Sequence, residues 1–297
     1  MKPKVRLVAW CSPLIGALVF WACTEEKSFS PTVGESALTE LAKQGTPGAA
    51  AKKFGYGKDN GPNEWCNLDP AFSLCCNGTA QSPVNITREA LKFTDLPELD
   101  FDYESTELEV EHNGNTIEAM VPAGEGVLTI GATVYNLVQF HFHTKSEHNV
   151  NGRALPMEMH LVHRSAGGAL AVVGVFIVQG DKHQELDKIF RRLPRKEGDH
   201  RAVQNFRLKR ILPREDETFR YGGSLTTPGC SEGVSWNVMA EPIKMSRKQI
   251  NDFRAIFSGK EFPKGNRRPV QSLNGRTLLT DIDHDDLAAL QQNLTEE

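Results

Sequence analysis

Residues 139–163 read QFHFHTKSEHNVNGRALPMEMHLVH, and the alternation inside this stretch decides the fold. His141 and His143 stand two apart in an apolar and aromatic run, so on a strand both imidazoles leave the same face, together with Gln139. A polar loop containing Asn151-Gly152 follows. The segment after it places Glu158, His160 and Val162 on one face and Met157, Met159, Leu161 and His163 on the other. Two strands joined by that loop bring His160 beside the first pair. Three neutral imidazole nitrogens around an open fourth position are the ligand set of a catalytic zinc.

A single histidine on an apolar strand is more often a hydrogen-bonded core residue than a ligand. Three on inward faces, with Gln139 and Glu158 each two residues from one of them, fit a metal better, because the second ring nitrogen of a metal-bound histidine usually has such an acceptor. No His-Glu-x-x-His motif occurs, which argues against a metalloprotease helix.

Outward from this stretch, the 297 residues suffice for one large domain or two small ones. Lys2, Lys4 and Arg6 precede an apolar run from Leu7 to Ala22, too short for a comfortable membrane span and right for a signal sequence. Ala22-Cys23 resembles the cleavage and lipidation site of a bacterial lipoprotein, although Phe20 and Trp21 are bulky for such a site; a plain cleaved signal peptide and an uncleaved anchor are the alternatives. The expected organisation is therefore a leader over 1–22, a tether over 23–51 and one domain over 52–297. The expected location is the periplasm or cell surface, with membrane attachment only through the N-terminus. Removing 1–22, which carries three basic residues and no acid, moves the formal net charge from −4 to −7. An acidic mature chain is a poor nucleic-acid binder, and the clusters Arg191-Arg192 and Arg207–Arg210 read as solvated faces.

Export makes disulfides the default for Cys66, Cys75, Cys76 and Cys230. Four cysteines allow three pairings. A link from the Cys75-Cys76 pair to Cys230 would close a loop for which chain entropy gives roughly 4–5 kcal/mol. No Cys-x-x-Cys spacing suggests a second zinc site.

In chain order, FGYGKDNGPNEW at 54–65 reads as an irregular segment folded onto the domain surface. Between Leu91 and Val138 short β-favouring runs alternate with Gly, Asn and Pro, as in antiparallel hairpins. Ala169–Gln179 reads as a strand buried on both faces. Helices are expected over Asp181–Leu193, with Leu186, Ile189, Phe190 and Leu193 on one side, and over Ser246–Phe257, where Ser246 and Gln249 fit a capping box. There is no internal repeat. The fold class is mostly β: a single domain with peripheral helices.

QFHFH, SEH and MEMHLVH, joined by FGYGKDNGPNEW at 54–65, QSPVNI at 81–86, SLTTPG at 224–229, VSWNV at 234–238 and NRRPVQ at 266–271, closely resemble an α-class carbonic anhydrase of the bacterial exported type. The likeness runs from about Lys52 to Leu279. It implies a large twisted, mainly antiparallel central sheet of about ten strands, zinc at the bottom of a conical cavity and reversible hydration of carbon dioxide to bicarbonate, a small-molecule substrate. By position, His141, His143 and His160 match the zinc ligands, Gln139 and Glu158 the acceptors that orient two of them, and Asn266 the residue whose backbone carbonyl holds the third. Thr226 matches the gatekeeping threonine and Glu147 the acid that accepts its hydroxyl proton; Thr227 lies beside it. Val162, Val172, Leu225, Val234 and Trp236 match the apolar wall of the carbon dioxide site, and Tyr56 matches a cavity tyrosine in the solvent network. The likeness pairs Cys76 with Cys230, leaving Cys66 to Cys75.

One departure matters. Asn115 stands where fast members carry a proton-shuttling histidine, and asparagine does not titrate. The expectation is that His112, another rim group, or buffer and water carry the proton, and that turnover rises with imidazole-type buffer. Two other classes compete with the enzyme: a binding protein that keeps the fold without the chemistry, and a zinc-capture protein. The first typically loses zinc histidines, whereas all three are present here with Thr226 and Glu147. The second should carry exposed ligands on a His-rich segment.

Overall fold

The computed structural model describes residues 53–282; the leader, Cys23 and the tether expected from the sequence lie outside these residues. In chain order the strands are β1 (Asn85–Ile86), β2 (Leu91–Phe93), β3 (Leu99–Tyr103), β4 (Ser105–His112), β5 (Ile117–Met120), β6 (Gly126–Ile130), β7 (Thr133–His143), β8 (Asn149–Val150), β9 (Arg153–Ala154), β10 (Met157–Ser165), β11 (Leu170–Gln179), β12 (His200–Arg207), β13 (Thr218–Ser224), β14 (Glu232–Met245) and β15 (Leu278–Thr280). The helices are α1 (Trp65–Leu68), α2 (Leu74–Asn77), α3 (Gln184–Phe190) and α4 (Arg247–Ile256).

Twelve strands form one sheet, two more than expected, with the path β12-β4-β5-β7-β10-β11-β14-β13-β15-β2 and with β6 bridging β3 to β7. The small sheet β1-β8-β9 stands apart from it. All pairings in the large sheet are antiparallel except β11 with β14 and β15 with β2. Mainly antiparallel is therefore correct.

The apolar run of β11 is buried from Ala171 to Val178, because core covers both its faces. One core layer contains Phe140, Phe142, Met159 and Leu161, covered by Leu186, Ile189 and Phe190 of α3 and by Ile250 and Phe253 of α4. The other contains Val162, Val172, Val234 and Trp236. Helix α4 begins with the expected capping box: Gln249 N donates to the Ser246 hydroxyl, and the Gln249 side chain accepts from Ser246 N. Helix α3 is shorter than its apolar pattern, and His183 caps it by accepting from Leu186 N.

The stretch from Phe54 to Glu64 is irregular, as expected, yet with Trp65 it inserts its aromatics. Tyr56 and Trp65 are buried with Cys75 and Cys230 in a small separate cluster. Here the expected cysteine pairing is overturned. The disulfides are Cys66–Cys76 and Cys75–Cys230, not Cys76–Cys230 and Cys66–Cys75. Cys75 and Cys76 are consecutive on α2, so their side chains diverge by about 100° around the axis. Cys75 turns inward to the fully buried Cys230, and Cys76 turns outward to Cys66. Spacing from the following motif locates the pair of cysteines and does not say which of them faces in.

Candidate metal centre

Strands β7 and β10 run antiparallel in a register that sets His160 opposite His141, Glu158 opposite His143 and Val162 opposite Gln139. Residues directly opposite in such a pair share a face. The three histidines therefore meet on one side of the sheet, and they are buried with ligand atoms within 4.8 Å of one another.

Each imidazole has one nitrogen already engaged. His141 Nδ1 donates to Gln139 Oε1 at 2.8 Å, His143 Nδ1 to the Asn266 carbonyl at 2.7 Å, and His160 Nε2 to Glu158 Oε1 at 2.8 Å. What remains is Nε2 of His141, Nε2 of His143 and Nδ1 of His160. His143 Nε2 is buried without any hydrogen-bond partner, which is costly unless something else fills that direction. The donor set fits a divalent metal that takes neutral nitrogen.

The electrostatics agree. Burial, followed by the neighbouring rings of His143 and His160, holds His141 well below the ordinary imidazole range. His143 is lowered by burial, against the opposing pull of Glu147. Burial by itself would raise the Glu158 carboxyl, but the imidazoles of His148 and His160 hold it well below the usual carboxylate range. Neutral ligands and an ionised acceptor are the protonation states that metal binding requires.

Asn266, matched only for its carbonyl, uses its whole side chain as well. Oδ1 accepts from Thr144 N at 2.9 Å, and Nδ2 donates to the carbonyls of Phe142 (2.8 Å) and Asn115 (3.0 Å). Gly265 precedes it with φ +77°, and a Cβ there would lie 1.5 Å from the Thr144 carbonyl oxygen, so only glycine admits this approach. Asn115 is thereby fastened beside the ligand strand through its backbone.

Glu147 is fully buried. Its Oε1 accepts from Arg268 N at 2.7 Å, and its Oε2 lies 3.6 Å from His143 Nε2 and 3.9 Å from His160 Nδ1. Oε2 has no hydrogen-bond partner, so the expected bond from Thr226 is not made in this structure. Thr226 is buried and Thr227 half-buried, in the turn where Cys230 N donates to the Thr227 carbonyl. The Tyr56 hydroxyl is pushed well above its ordinary pKa by burial and then by the Glu147 charge.

Val162, Val172, Val234 and Trp236 share one cluster, with Leu225 packed against it. Register puts Gln139, Val162, Val172 and Trp236 in one row across four strands, two residues along from the row that holds His141 and His160. The Trp236 ring stands 4.8 Å from that of His160, so the wall does abut a candidate ligand.

His112 belongs elsewhere. Its ring packs 5.1 Å from Phe257 in the opposite core layer, and its Nδ1 accepts from Gly114 N. An imidazole on the far side of the sheet is not a rim group, which removes it as the substitute for the missing shuttle.

Sequence reading missed a buried chain behind the site. Glu158 Oε1 also accepts from His148 Nδ1 at 2.7 Å, His148 Nε2 meets the Tyr221 hydroxyl at 2.7 Å, and that hydroxyl donates to Ser82 Oγ at 2.9 Å. It also missed Arg268, which is buried and donates to Gln81, to Ser82 O and to Cys75 O. Nothing in a period of two marks these residues, because their partners lie on distant elements. Glu118 was missed too: it is 4 % exposed, opposite His141 on β5, and burial and then Glu111 raise its carboxyl to about 7.

Residues 60–282 match the family described as eukaryotic-type carbonic anhydrase. A carbonic anhydrase of Neisseria gonorrhoeae is 38% identical over 227 residues, covering 76% of this chain and 87% of its own. One from Klebsiella pneumoniae is 37% identical over 250 residues, covering 84% and 98%. Among solved structures, the α-carbonic anhydrase of Thermovibrio ammonificans, in complex with the inhibitor sulfanilamide, superimposes with a TM-score of 0.73 at 37% identity, covering 76% of this chain and 98% of that one.

Proposed function

This chain belongs to the eukaryotic-type carbonic anhydrase family, and on that premise we propose that it is a zinc enzyme that reversibly hydrates carbon dioxide to bicarbonate and a proton. The observation that carries this reading is the set of three imidazole nitrogens left free after Gln139, Asn266 and Glu158 have engaged the others. A zinc ion held by His141, His143 and His160 would supply Lewis acidity that lowers the pKa of a coordinated water to about 7, a figure for which carbonic anhydrase is itself the standard example.

The chain's own residues do the rest. Gln139 Oε1, the Asn266 carbonyl and Glu158 Oε1 hold a proton on His141 Nδ1, His143 Nδ1 and His160 Nε2, so each ring presents only its other nitrogen. Glu147 Oε2 has no hydrogen-bond partner, so it is open to accept from the Thr226 hydroxyl, a bond the structure does not contain and the reading requires. A threonine committed to donating there has only lone pairs left for the nucleophile, which turns the nucleophile's own lone pair towards substrate. Thr227 continues that side. Val162, Val172, Leu225, Val234 and Trp236 offer carbon dioxide an apolar wall that competes with water for the uncharged substrate. Tyr56 joins the solvent network beside Glu147. Asn115 cannot accept the product proton, so water and buffer carry it out.

The reading extends to place. A signal peptide over 1–22, Cys23 as a lipidated N-terminus and a tether over 23–51 would hold the domain in the periplasm or at the cell surface. Two disulfides support an oxidising compartment. Mass spectrometry of the mature N-terminus tests it.

The function is tested by metal analysis and stopped-flow hydration of carbon dioxide before and after chelation. One zinc per chain and activity that leaves and returns with zinc are expected. One bound equivalent without hydration would favour a binding protein on the same fold.

A further inference from the structure

Between Lys188 and Arg214 the chain carries ten basic residues against two acids, Glu197 and Asp199, a net of +8 in a chain whose formal net charge is −4. The remainder therefore carries −12. Read along the sequence, these charges are separate clusters on solvated faces. Folded, they converge: helix α3, the turn after it, edge strand β12 and the 3-10 turn Leu208–Ile211 pack together at one side of the sheet.

The convergence is held by Arg201. Its guanidinium donates to the carbonyls of Lys188 (2.8 Å), Ile189 (2.8 Å) and Arg192 (2.6 Å), fastening the C-terminal end of α3 to β12. Burial and then the charges of Arg192 and Arg191 lower its pKa, so like charges crowd here. The two acids of this window do not relieve it, and of those that flank it Glu185 pairs with Lys188 and Asp187 with Lys182, while Glu215 and Asp216 stand exposed past Arg214. Glu197 pairs with Lys53, and Asp199 Oδ2 accepts from the backbone nitrogens of Arg195 and Lys196. Arg191, Arg192, Arg195, Lys196, Arg207 and Arg210 are exposed and have no acidic partner among the described residues. A cleft of about 620 Å³ opens at one end of the patch, with Lys182, Arg207, Arg210, Arg214 and Lys244 on its walls. Two of the carboxylates there are engaged, Glu185 by Lys188 and Arg207 N, Glu241 by Arg214 N and Glu215 N; Asp181 is exposed.

We propose that this patch docks the domain on an anionic phospholipid bilayer, with lipid phosphates as the groups it binds. Uncompensated cations on a rigid surface are attracted by an anionic leaflet within a Debye length, about 8 Å at physiological salt, so the acidic remainder of the domain is screened from it. A nucleic acid fits less well. The exposed large apolar side chains among the described residues are Leu74, Val134 and Val270, none aromatic, so no platform for stacking bases accompanies the charge. Orientation also favours a membrane. α3 buries Leu186, Ile189 and Phe190 in the core layer opposite the histidines, and β12 is three strands from β7, so docking by this side leaves the histidine face free. The docking depends neither on the reaction nor on lipidation of Cys23.

The test is co-sedimentation of the full chain with phosphatidylcholine vesicles, with and without phosphatidylglycerol. An N-terminal apolar anchor contributes to both and cancels in the comparison. Wild type should partition on the order of tenfold more strongly to the anionic vesicles, and high salt should abolish the difference. The variant Arg191→Gln/Arg192→Gln/Arg207→Gln/Arg210→Gln should lose the preference. A control removing four exposed cations elsewhere, Lys58→Gln/Arg88→Gln/Lys92→Gln/Lys264→Gln, should keep it. No anionic preference in wild type, equal loss in both variants, or retention by duplex DNA in place of vesicles would each overturn the proposal.

Discussion

Strand β7 builds two different regions from alternate residues. Phe140 and Phe142 enter an apolar layer, while Gln139, His141 and His143 enter a polar one. In the apolar layer contacts are many and interchangeable: Phe142 alone meets the rings of Phe140, Phe190 and Phe253. In the polar layer the partners are few and directional: Glu158 Oε1 accepts from His160 and His148, and Asn266 Nδ2 donates to the carbonyls of Phe142 and Asn115. The orphans Gln139 Nε2, His143 Nε2 and Glu147 Oε2 all lie there. A core tolerates substitution because dispersion and burial are non-directional, whereas a metal site depends on the direction of single lone pairs.

Substitutions on the two faces separate these behaviours. His143→Ala should cut hydration by at least about a thousandfold and reduce bound zinc while leaving the far-ultraviolet circular dichroism unchanged, since the lost nitrogen serves the metal and not the fold. Phe142→Ala, one residue away, should do the reverse. Denaturant titration should show a cost of about 3–5 kcal/mol, with zinc stoichiometry retained in the folded fraction. Glu158→Gln should weaken zinc about 10–100-fold in a competition with a chelating dye, because His160 and His148 both lose an ionised acceptor.

Glu118 sharpens the comparison further, as an acid on the polar face with no ion-pair partner among the described residues. Its folded pKa of about 7 lies above the ordinary 4.5, so its contribution to stability is full below about 4.5 and is lost as pH rises through about 7. In zinc-free protein Glu118→Gln should be more stable than wild type by roughly 1–3 kcal/mol at pH 8 and indistinguishable at pH 4. The smallest effect is expected at Asn115. Asn115→His should raise turnover about several-fold in weak buffer and make it less dependent on imidazole; unchanged turnover that ignores buffer concentration would sink the account of the proton's exit.

Much of this was legible in the sequence where the rule is local. Alternation placed the three histidines with Gln139 and Glu158, the apolar run announced β11, and Ser246 with Gln249 announced the start of α4. Where the rule is not local, reading stopped. The choice between Cys75 and Cys76 turned on the roll of a four-residue helix against a cysteine 155 residues away. The path from Glu158 through His148 and Tyr221 to Ser82 joins four separate segments, none of which carries a motif for it.

The sequence by itself determined which residue types face the site, because a spacing of two in a strand sends side chains to one side whatever surrounds them. Only the tertiary structure decided which nitrogen of each imidazole is free. That choice is made by the acceptor on the other nitrogen, and for His143 the acceptor is a backbone carbonyl 123 residues along the chain, brought within 2.7 Å by the folding of everything between.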